Sequence, residues 1–335
     1  MSVIEKFAER ARSVERTIVL PEGQDPRVVA AARMALEKKV VKKIIVLGTE
    51  AEIAASCAKV GITERPFECL DYLASPLFEE FAQELYEMRK AKGLEIEKAR
   101  KMMSSRIYFG AMMCRRKLVD GLVAGSIAST ADMLRAAFHC IGTAPGIKSA
   151  SSCFVMDLAR PTPSGDEVLI FADCGVNPNP DANQLVDIAL ATAKTYRSLL
   201  GKQPKIAMLS FSTKGSADHE ILNKVKEATA TLQQRIADEK LDILCDGELQ
   251  GDAALIPSVA AAKAPGSNVA GQANILIFPD LNCGNICYKL VQRLGQAAAY
   301  GPVLQGLAKP LNDLSRGCSA EDIYGEIVIT VCQSI

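Results

Sequence analysis

The chain has 335 residues, about twice the common size of a single domain, so we expect two domains. Its 39 Lys and Arg residues balance 39 Asp and Glu residues, which argues against a general nucleic-acid surface because such surfaces need a basic excess. No apolar run reaches the roughly 18 residues that a membrane helix requires, and the N-terminal residues lack the apolar stretch of a signal peptide. We therefore expect a globular, cytoplasmic protein with no nucleic-acid or membrane partner.

Strand-like and helix-like segments alternate along the first part of the chain. The pattern predicts, in order, a strand at 16–22, a helix at 28–38, a strand at 43–48, a helix capped at Thr49, a helix from Ser75 to Gly93, a helix at 96–119, a strand at 121–125 and a helix capped at Ser129. Continuous apolar strands that alternate with helices are typical of parallel sheets buried on both faces.

The pattern changes after residue 146. Two runs at 152–158 and 167–173 flank a turn-rich segment at 161–165, which predicts an antiparallel hairpin. Further strands are predicted at 205–210, 241–245, 275–278 and 303–304, and further helices at 182–200, 218–237, 253–262, 286–294 and 320–332. We therefore predict two α/β domains with mostly parallel sheets flanked by helices, and a small-molecule site in the cleft between them.

Several common site motifs are absent from the sequence. It contains no GxxxxGK[ST], no GxGxxG after a strand and no GxSxG, which excludes the usual phosphate-binding loop, dinucleotide fingerprint and nucleophile elbow. Eleven cysteines are scattered singly, and the only histidines are His139 and His219. We therefore expect free thiols and no metal site.

The loop at residues 309–322 has the composition of an anion site. It precedes a helix and follows a strand, where α/β sheets place their ligands. Ser315 offers a hydroxyl group and Arg316 a five-donor guanidinium group, and the helix N-terminus adds free N–H groups. The alternative is a structural cap, with Ser319 as the N-cap and Asp322 interacting with the helix dipole. The residues alone leave both interpretations open.

A second candidate loop lies at residues 125–135. It too links a strand to a helix through small polar residues, and Arg135 lies just inside the helix. An anion site and a capped structural helix are both compatible with this pattern. Arg89, on the polar side of a long helix, would by itself be interpreted as a solvated surface residue.

These segments, with several others, carry a family resemblance. The matching strings are TIVLPEG at 17–23, AGS at 124–126, STADMLR at 129–135, FADCGVNP at 171–178, LSFSTKG at 209–215, DGELQ at 246–250, FPDLN at 278–282 and KPLNDLSRG at 309–317. In order and spacing they resemble the phosphate acetyltransferases, within the wider phosphate acetyl/butyryl transferase family. Leu311 is a conservative departure, because the family has Val there.

The resemblance implies a homodimer of two α/β domains related in fold to isocitrate and isopropylmalate dehydrogenases. The first domain would be discontinuous, with residues 1–146 and 303–335, and the second would cover 147–302. The implied reaction is reversible acetyl transfer between acetyl phosphate and CoA. CoA and acetyl-CoA would be substrates, with no metal and no permanently bound cofactor.

The resemblance also implies roles for particular residues. The family's catalytic Ser and Arg match Ser315 and Arg316, and its proposed base matches Asp322. The implied substrate-binding residues are Arg89, Arg135, Ser129 and Thr130.

The implied chemistry is direct attack of the CoA thiolate on the acetyl carbonyl in a ternary complex, with phosphate leaving. An ordinary thiol titrates near pH 8.5 and an ordinary Asp near 3.9, so transfer of the thiol proton to a carboxylate costs about 6 kcal/mol. We therefore expect Arg316 to stabilise the thiolate or the developing oxyanion. Asp322 would orient a group or accept the proton late, and Ser315 would donate a hydrogen bond without forming an acyl intermediate.

Three alternatives remain at this stage. The enzyme could prefer butyryl or propionyl phosphate, because one methylene group changes binding by only about 1–3 kcal/mol. The chain could instead be a catalytically silent regulator that binds CoA or an acyl phosphate, although such a sensor needs no base. An NAD-linked dehydrogenase of the related fold would require acidic metal ligands and an adenine-ribose loop that the sequence does not show.

Overall fold

The computed structural model describes residues 2–335. Its elements up to Ala144 are α1 (Val3–Ala11), β1 (Thr17–Leu20), α2 (Pro26–Glu37), β2 (Lys43–Leu47), α3 (Glu50–Lys59), β3 (Glu68–Leu70), α4 (Leu77–Arg89), α5 (Ile96–Met103), α6 (Arg106–Arg115), β4 (Gly121–Ala124) and α7 (Thr130–Ala136). A 3₁₀ turn (Lys90–Lys92) follows α4, and a π-helical segment (Ala137–Ile141) continues α7.

The remaining elements alternate in the same way. They are β5 (Ser151–Asp157), β6 (Val168–Ala172), α8 (Ala182–Leu200), β7 (Lys205–Leu209), α9 (Asn223–Asp238), β8 (Leu244–Leu249), α10 (Gly251–Leu255), α11 (Pro257–Lys263), β9 (Ile275–Ile277), α12 (Leu281–Leu294), β10 (Ala298–Gln305), β11 (Leu311–Asp313) and α13 (Ala320–Gln333). A 3₁₀ turn (Glu220–Leu222) precedes α9.

The chain divides into two compact units. The first unit comprises the described residues up to Ala144 together with Leu307–Ile335, and the second unit is Pro145–Gly306. No helix within residues 2–335 combines the length and the apolar character that a membrane span requires.

The sheet of the first unit has five parallel strands in the order β11-β4-β1-β2-β3. Its central strands are apolar and almost fully buried, as expected of a parallel sheet covered on both faces. Helix α13 packs against β4 and β11 and also against α1 and α2. The C-terminal segment therefore supplies both an edge strand and a covering helix.

The sheet of the second unit has six strands in the order β10-β5-β6-β9-β7-β8. β10, β5 and β6 pair antiparallel, whereas β6, β9, β7 and β8 pair parallel. An apolar cluster that includes Phe154, Phe171 and Leu276 covers one face. The prediction of an α/β fold with mostly parallel sheets flanked by helices, one of them mixed, is confirmed.

Some predicted elements were wrong in detail. The predicted helix at 96–119 is two helices, because Ser105 adopts an extended conformation between α5 and α6. The predicted strand at 241–245 lies further on, at Leu244–Leu249, where buried carboxylates are part of the strand. Residues 303–304, which the family resemblance assigns to the first domain, belong to β10 and pair with β5 of the second unit.

The strand that precedes the candidate anion loop was missed entirely. Leu311–Asp313 form β11, which pairs in parallel with β4. The sequence pattern predicts a loop over 309–322, which includes these three residues, two of them polar. Both polar side chains, Asn312 and Asp313, are nevertheless buried.

Candidate active site

Three loops meet at one edge of the first unit's sheet. They follow the neighbouring parallel strands β1, β4 and β11, at residues 21–25, 125–129 and 314–319. Because carboxyl ends of parallel strands share one edge, this is where α/β sheets bind ligands. The structure thus brings the two anion loops of the sequence analysis side by side and adds a third.

Glu22 anchors the second of these loops. Its buried carboxylate accepts hydrogen bonds from the backbone N–H groups of Gly125, Ser126, Ile127 and Ala128 at 2.7 to 3.0 Å, and from the Ser126 hydroxyl group at 2.8 Å. Four consecutive N–H groups are therefore satisfied by one side chain. This arrangement fixes the backbone that leads into Ser129 and α7.

Arg27 ties all three loops together. Its guanidinium group donates to Asp25 in the first loop at 2.6 Å and to the Ser126 carbonyl in the second at 3.1 Å. It also donates to the carbonyls of Arg316 and Cys318 in the third, at 2.9 and 2.8 Å. These four contacts hold three backbone carbonyls and Asp25, the N-cap residue of α2, rather than a ligand. The sequence pattern indicates no role for Arg27.

Asp313 joins β11 to the start of α7. Its Oδ2 accepts a hydrogen bond from the Thr130 hydroxyl group at 2.5 Å, and burial raises the pKa of the Asp313 carboxyl to about 6. Gly125 has a φ of +113°, and a Cβ atom there would overlap the Asp313 carboxylate. The close approach of these two loops therefore requires glycine at position 125.

A second buried carboxyl group lies behind β11. Glu326 of α13 is only 5% exposed, and its Oε1 has no hydrogen-bond partner among residues 2–335. Burial, together with the negative charge of Asp313, raises the pKa of Glu326 to about 8. This environment therefore favours the protonated form of the Glu326 carboxyl group.

Ser315 and Arg316 are both exposed at the tip of the third loop. The Ser315 oxygen accepts a hydrogen bond from the Gly317 N–H at 3.3 Å. The Arg316 side chain has neither an ion pair nor a hydrogen bond to any other described residue, although its carbonyl is held by Arg27. A fixed backbone with an unpaired guanidinium group is well suited to bind an anion from solution.

Cys318 is buried beneath the same loop. Burial raises the pKa of its thiol, with the Arg27 charge acting in the opposite direction. A buried, protonated thiol is a poor nucleophile. Its position is consistent with a small residue that fills the loop.

Asp322 and Ser319 form the structural cap that the sequence analysis considered. Asp322 Oδ2 accepts from the Ser319 N–H at 2.8 Å and from its hydroxyl group at 3.0 Å, while the Ser319 oxygen accepts from the Asp322 N–H at 3.1 Å. Both side chains are exposed. One oxygen of the candidate base is therefore already occupied in capping α13.

Ser129 caps α7 in a similar way. Its hydroxyl group donates to Asp132 at 2.6 Å, and this bond, followed by the contact with Arg135, holds the pKa of Asp132 below its usual value. The Thr130 hydroxyl group donates to Asp313. The hydroxyl hydrogens of Ser129 and Thr130 are thus engaged within the unit, which leaves oxygen lone pairs and backbone groups for a ligand.

Arg89 and Arg135 both lie near a tyrosine–histidine pair. The Tyr108 hydroxyl oxygen is 2.8 Å from His139 Nδ1. Burial, followed by the charges of Arg89 and Arg135, lowers the pKa of His139. Arg135 pairs with Asp132, whereas the Arg89 guanidinium group has no partner within residues 2–335. The sequence pattern indicates no role for Tyr108 or His139.

The segments of the second unit that carry the family resemblance form loops held by buried carboxylates. Asp173 accepts hydrogen bonds from the N–H groups of residues 175–177 and from the Ser152 hydroxyl group. Glu248 accepts from the Ser212 hydroxyl group at 3.1 Å and from the Gly215 N–H at 2.7 Å. These contacts explain the polar residues in the strings at 171–178, 209–215 and 246–250 as loop anchors.

No group of three or more His, Cys, Asp or Glu side chains within residues 2–335 is placed to hold a metal ion. All eleven cysteines are free. The geometry instead offers hydroxyl, guanidinium and backbone N–H groups, which are ligands for anions.

Comparison with known proteins identifies the family. The family model described as phosphate acetyl/butaryl transferase matches residues 2–331. The chain belongs to this family. It is 48% identical over 334 residues to the phosphate acetyltransferase of Thermoanaerobacterium thermosaccharolyticum, and the match covers 100% of both chains. It is also similar to the solved structure of EutD phosphotransacetylase from Staphylococcus aureus, with 42% identity, a TM-score of 0.91, and coverage of 99% of this chain and 98% of that chain.

The fold extends beyond the phosphate acetyl/butaryl transferases. A candidate 4-hydroxythreonine-4-phosphate dehydrogenase from Salmonella typhimurium covers 96% of this chain with 13% identity and a TM-score of 0.54. At that identity the likeness concerns the fold alone, and the predicted relation to dehydrogenases is confirmed at that level. The predicted family and the predicted enzyme class, an acyltransferase, are confirmed as well.

Proposed function

We propose that this chain is a phosphate acetyltransferase, which transfers an acetyl group reversibly between acetyl phosphate and CoA. The observation that carries the proposal is the exposed Ser315–Arg316 tip, held at the carboxyl ends of parallel strands in a chain that matches phosphate acetyltransferases over its whole length. CoA and acetyl-CoA are substrates in this proposal, and no cofactor is permanently bound.

Arg316 has the central role in the proposed mechanism. Its unpaired guanidinium group stabilises the CoA thiolate or the oxyanion that develops as the thiolate attacks the acetyl carbonyl and phosphate leaves. Ser315 donates a hydrogen bond to the reacting sulfur or oxygen. The carbonyls of Arg316 and Cys318 accept hydrogen bonds from Arg27, so the side chains of Ser315 and Arg316 extend from a fixed backbone.

Asp322 positions the loop and accepts the thiol proton late in this proposal. One of its oxygens is committed to the cap of α13, and proton transfer from an ordinary thiol to an ordinary carboxylate costs about 6 kcal/mol. It therefore keeps the helix end and the loop in register, and accepts a proton only after sulfur has begun to bond to carbon.

In this proposal Arg89 and Arg135 bind the phosphorylated substrates through their guanidinium groups. Ser129 and Thr130 bind them through backbone N–H groups at the start of α7, because their hydroxyl hydrogens are engaged. Arg89 is unpaired, and Arg135 is held only by an exposed ion pair of small net strength. Replacement of either arginine by Ala should raise the KM for a phosphorylated substrate more than it lowers kcat. If neither variant changes KM, these two residues do not bind substrate.

The deciding experiment follows thioester formation by absorbance, with CoA and acetyl, propionyl or butyryl phosphate, in the presence of EDTA. We expect rapid turnover with acetyl phosphate and a loss of about 100-fold or more in Arg316→Ala, the range found when one transition-state donor is removed. Arg33→Ala, on the surface of α2, is the matched control and should retain activity.

Other outcomes of the same experiment identify the alternatives. A preference for butyryl or propionyl phosphate would keep the mechanism and change the substrate. Tight CoA binding without turnover on any acyl phosphate would indicate a silent binding protein.

We further propose that the protein is a homodimer that associates through an apolar face of the second unit. Ile286, Leu290 and Leu294 lie four residues apart along α12 and are 56%, 51% and 79% exposed. Phe211 and Ile221 are also more than half exposed, and both line an apolar cavity of about 430 Å³. Exposed apolar side chains grouped along one helix mark interaction sites, and a second copy of the chain would cover them.

The dimer is tested by light scattering during size-exclusion chromatography. The wild-type protein should elute with twice the chain mass, and the double variant Leu290→Glu, Leu294→Glu should elute as a monomer. Lys194→Glu, an exposed position on α8, is the matched control. A double variant that remains dimeric would show that this face is not the interface.

A further inference from the structure

The Tyr108–His139 pair has no role in the mechanism described above, yet it lies near Arg89 and Arg135. Tyr108 belongs to α6 and is buried, and His139 belongs to the π-helical segment after α7 and is half-buried. Their rings are 5.9 Å apart, with the hydroxyl oxygen 2.8 Å from Nδ1. π-helical segments are rare and occur frequently at functional sites.

The packing places both arginines beside this pair. Arg135 precedes His139 by four residues on a continuous helical segment, a spacing that puts two side chains on one face. Helix α4, which ends at Arg89, packs against the π-helical segment, and so does α6. Lys92 follows Arg89 in the adjoining 3₁₀ turn.

The charged groups around His139 are nearly all cationic. Arg89 on α4, Lys92 in the 3₁₀ turn and Arg135 on α7 act with burial to lower its pKa. The nearby acidic group, Asp132 on α7, acts on Tyr108, whose pKa burial raises to about 12. Without a ligand, burial and these charges therefore favour the neutral form of His139.

A bound phosphate group would reverse this balance, because its negative charge offsets the arginines and favours a protonated imidazole. We propose that the Tyr108–His139 pair completes the anion site of Arg89 and Arg135, and that His139 takes up a proton from solvent when a phosphate group binds there. This inference rests on the proposed function, in which the two arginines bind phosphorylated substrates. The phosphate group could be that of acetyl phosphate or one of those of CoA.

The hydrogen bond between the two side chains gives the proton a defined effect. A neutral imidazole has one N–H group and one acceptor nitrogen, whereas the imidazolium form donates from both nitrogens. After proton uptake Nδ1 donates to the phenol oxygen, so the Tyr108 hydroxyl hydrogen is free to donate elsewhere. The pair then offers the phosphate oxygens a charged N–H group and a hydroxyl group.

The inference predicts a specific pH dependence. The pKa of His139 lies below its ordinary value near 6.5 in the free protein and rises in the complex. Below the free-state pKa the imidazole is protonated in both states, and above the bound-state pKa it is neutral in both. Between these limits binding takes up a proton, so phosphate affinity falls as pH rises, by up to tenfold per pH unit.

The experiment measures proton uptake directly. Binding of CoA and, separately, of inorganic phosphate is followed by titration calorimetry in two buffers with different ionisation enthalpies. The proteins are the wild type, His139→Gln, His139→Asn and Tyr108→Phe, with His219→Gln as the matched control because His219 is the only other histidine. Inorganic phosphate itself exchanges protons near neutral pH, so the readout is the difference between variant and control.

We expect the control and the wild type to take up the same fraction of a proton, and both His139 variants to take up less with at least one probe. The probe that shows the difference identifies the source of the phosphate group. Tyr108→Phe should retain the uptake but bind severalfold more weakly. Equal uptake in the His139 variants and the wild type with both probes would overturn the inference.

Thioester assays on the same proteins distinguish a failure of this inference from a failure of the proposed function. Wild-type turnover with acetyl phosphate, together with a raised KM in Arg135→Ala and unchanged proton uptake in the His139 variants, would refute this inference alone. An absence of wild-type turnover with every acyl phosphate would refute the proposed function, and this inference with it.

Discussion

Replacement of Glu22 by Gln tests whether one buried carboxylate organises the loop at residues 125–129 of the candidate active site. Oε1 accepts from the N–H groups of Ile127 and Ala128, and Oε2 accepts from three donors of Gly125 and Ser126. Gln keeps one oxygen and substitutes an NH₂ group for the other. Even if its oxygen faces the three donors, two N–H groups point at the NH₂ group.

The cost follows from the number of unsatisfied donors. A fully buried N–H group that loses its acceptor costs about 1–3 kcal/mol. The bonds of Ile127 and Ala128 are only part-buried, so we expect the variant to lose about 2 kcal/mol, the lower end of the range for two groups. At roughly 2–4 °C per kcal/mol for a unit of this size, its Tm should fall by at least about 4 °C. Glu64→Gln, at an exposed position, is the matched control and should change the unfolding free energy by less than about 0.5 kcal/mol.

The melting curve is measured by circular dichroism rather than by tryptophan fluorescence, because the chain contains no Trp. Hydrogen exchange of peptides that cover residues 121–135 locates the change, and amides 125–128 should exchange faster in Glu22→Gln. An unchanged Tm with unchanged exchange in that peptide would refute the role given to Glu22. A lower Tm with faster exchange only elsewhere would refute the local explanation.

The remaining predictions concern three other positions. Arg27→Ala should lower turnover at least about tenfold, and Arg27→Lys should restore only part of it, because a single ammonium group cannot span contacts to three loops; full activity of the Ala variant would contradict this. Asp322→Asn should slow thioester formation while CoA affinity measured by calorimetry stays nearly constant, and unaltered turnover would remove Asp322 from the mechanism. Glu326 has a folded-state pKa of about 8, above its ordinary value near 4.3, so wild-type unfolding free energy should fall as pH rises through that interval. Glu326→Gln has no titrating group at this position, so its unfolding free energy should depend less on pH. The same pH dependence in urea titrations of both proteins would contradict this prediction.

Much of the fold could be predicted from the sequence because most strands are continuous apolar runs. β1, β2 and β4 are almost entirely buried, and helices such as α3 begin with recognisable capping residues. β11 was missed for a physical reason. Asn312 donates to Thr330 at 2.8 Å and Asp313 accepts from Thr130, so tertiary partners make a polar triplet into a buried strand.

Only some residues of the candidate site could be proposed from the sequence. A loop composition of Ser, Arg and Gly indicates an anion, and the family resemblance assigned Ser315 and Arg316. Arg27 and Glu22 could not be assigned in the same way, because their contacts join residues 289 and 103 positions apart. Such contacts exist only once parallel strands have brought separate loops to one edge.

The interrupted course of the first unit has a consequence for synthesis on the ribosome. β11 and α13 come last in the chain, after the whole of the second unit, which is contiguous from Pro145 to Gly306. At about 5–20 residues per second, synthesis of the second unit from Pro145 to Gly306 takes roughly 8–32 s, and β4 lacks its edge partner throughout this time. Until then the nascent first unit has an unpaired strand edge, and a chaperone that covers β4 would act at this stage.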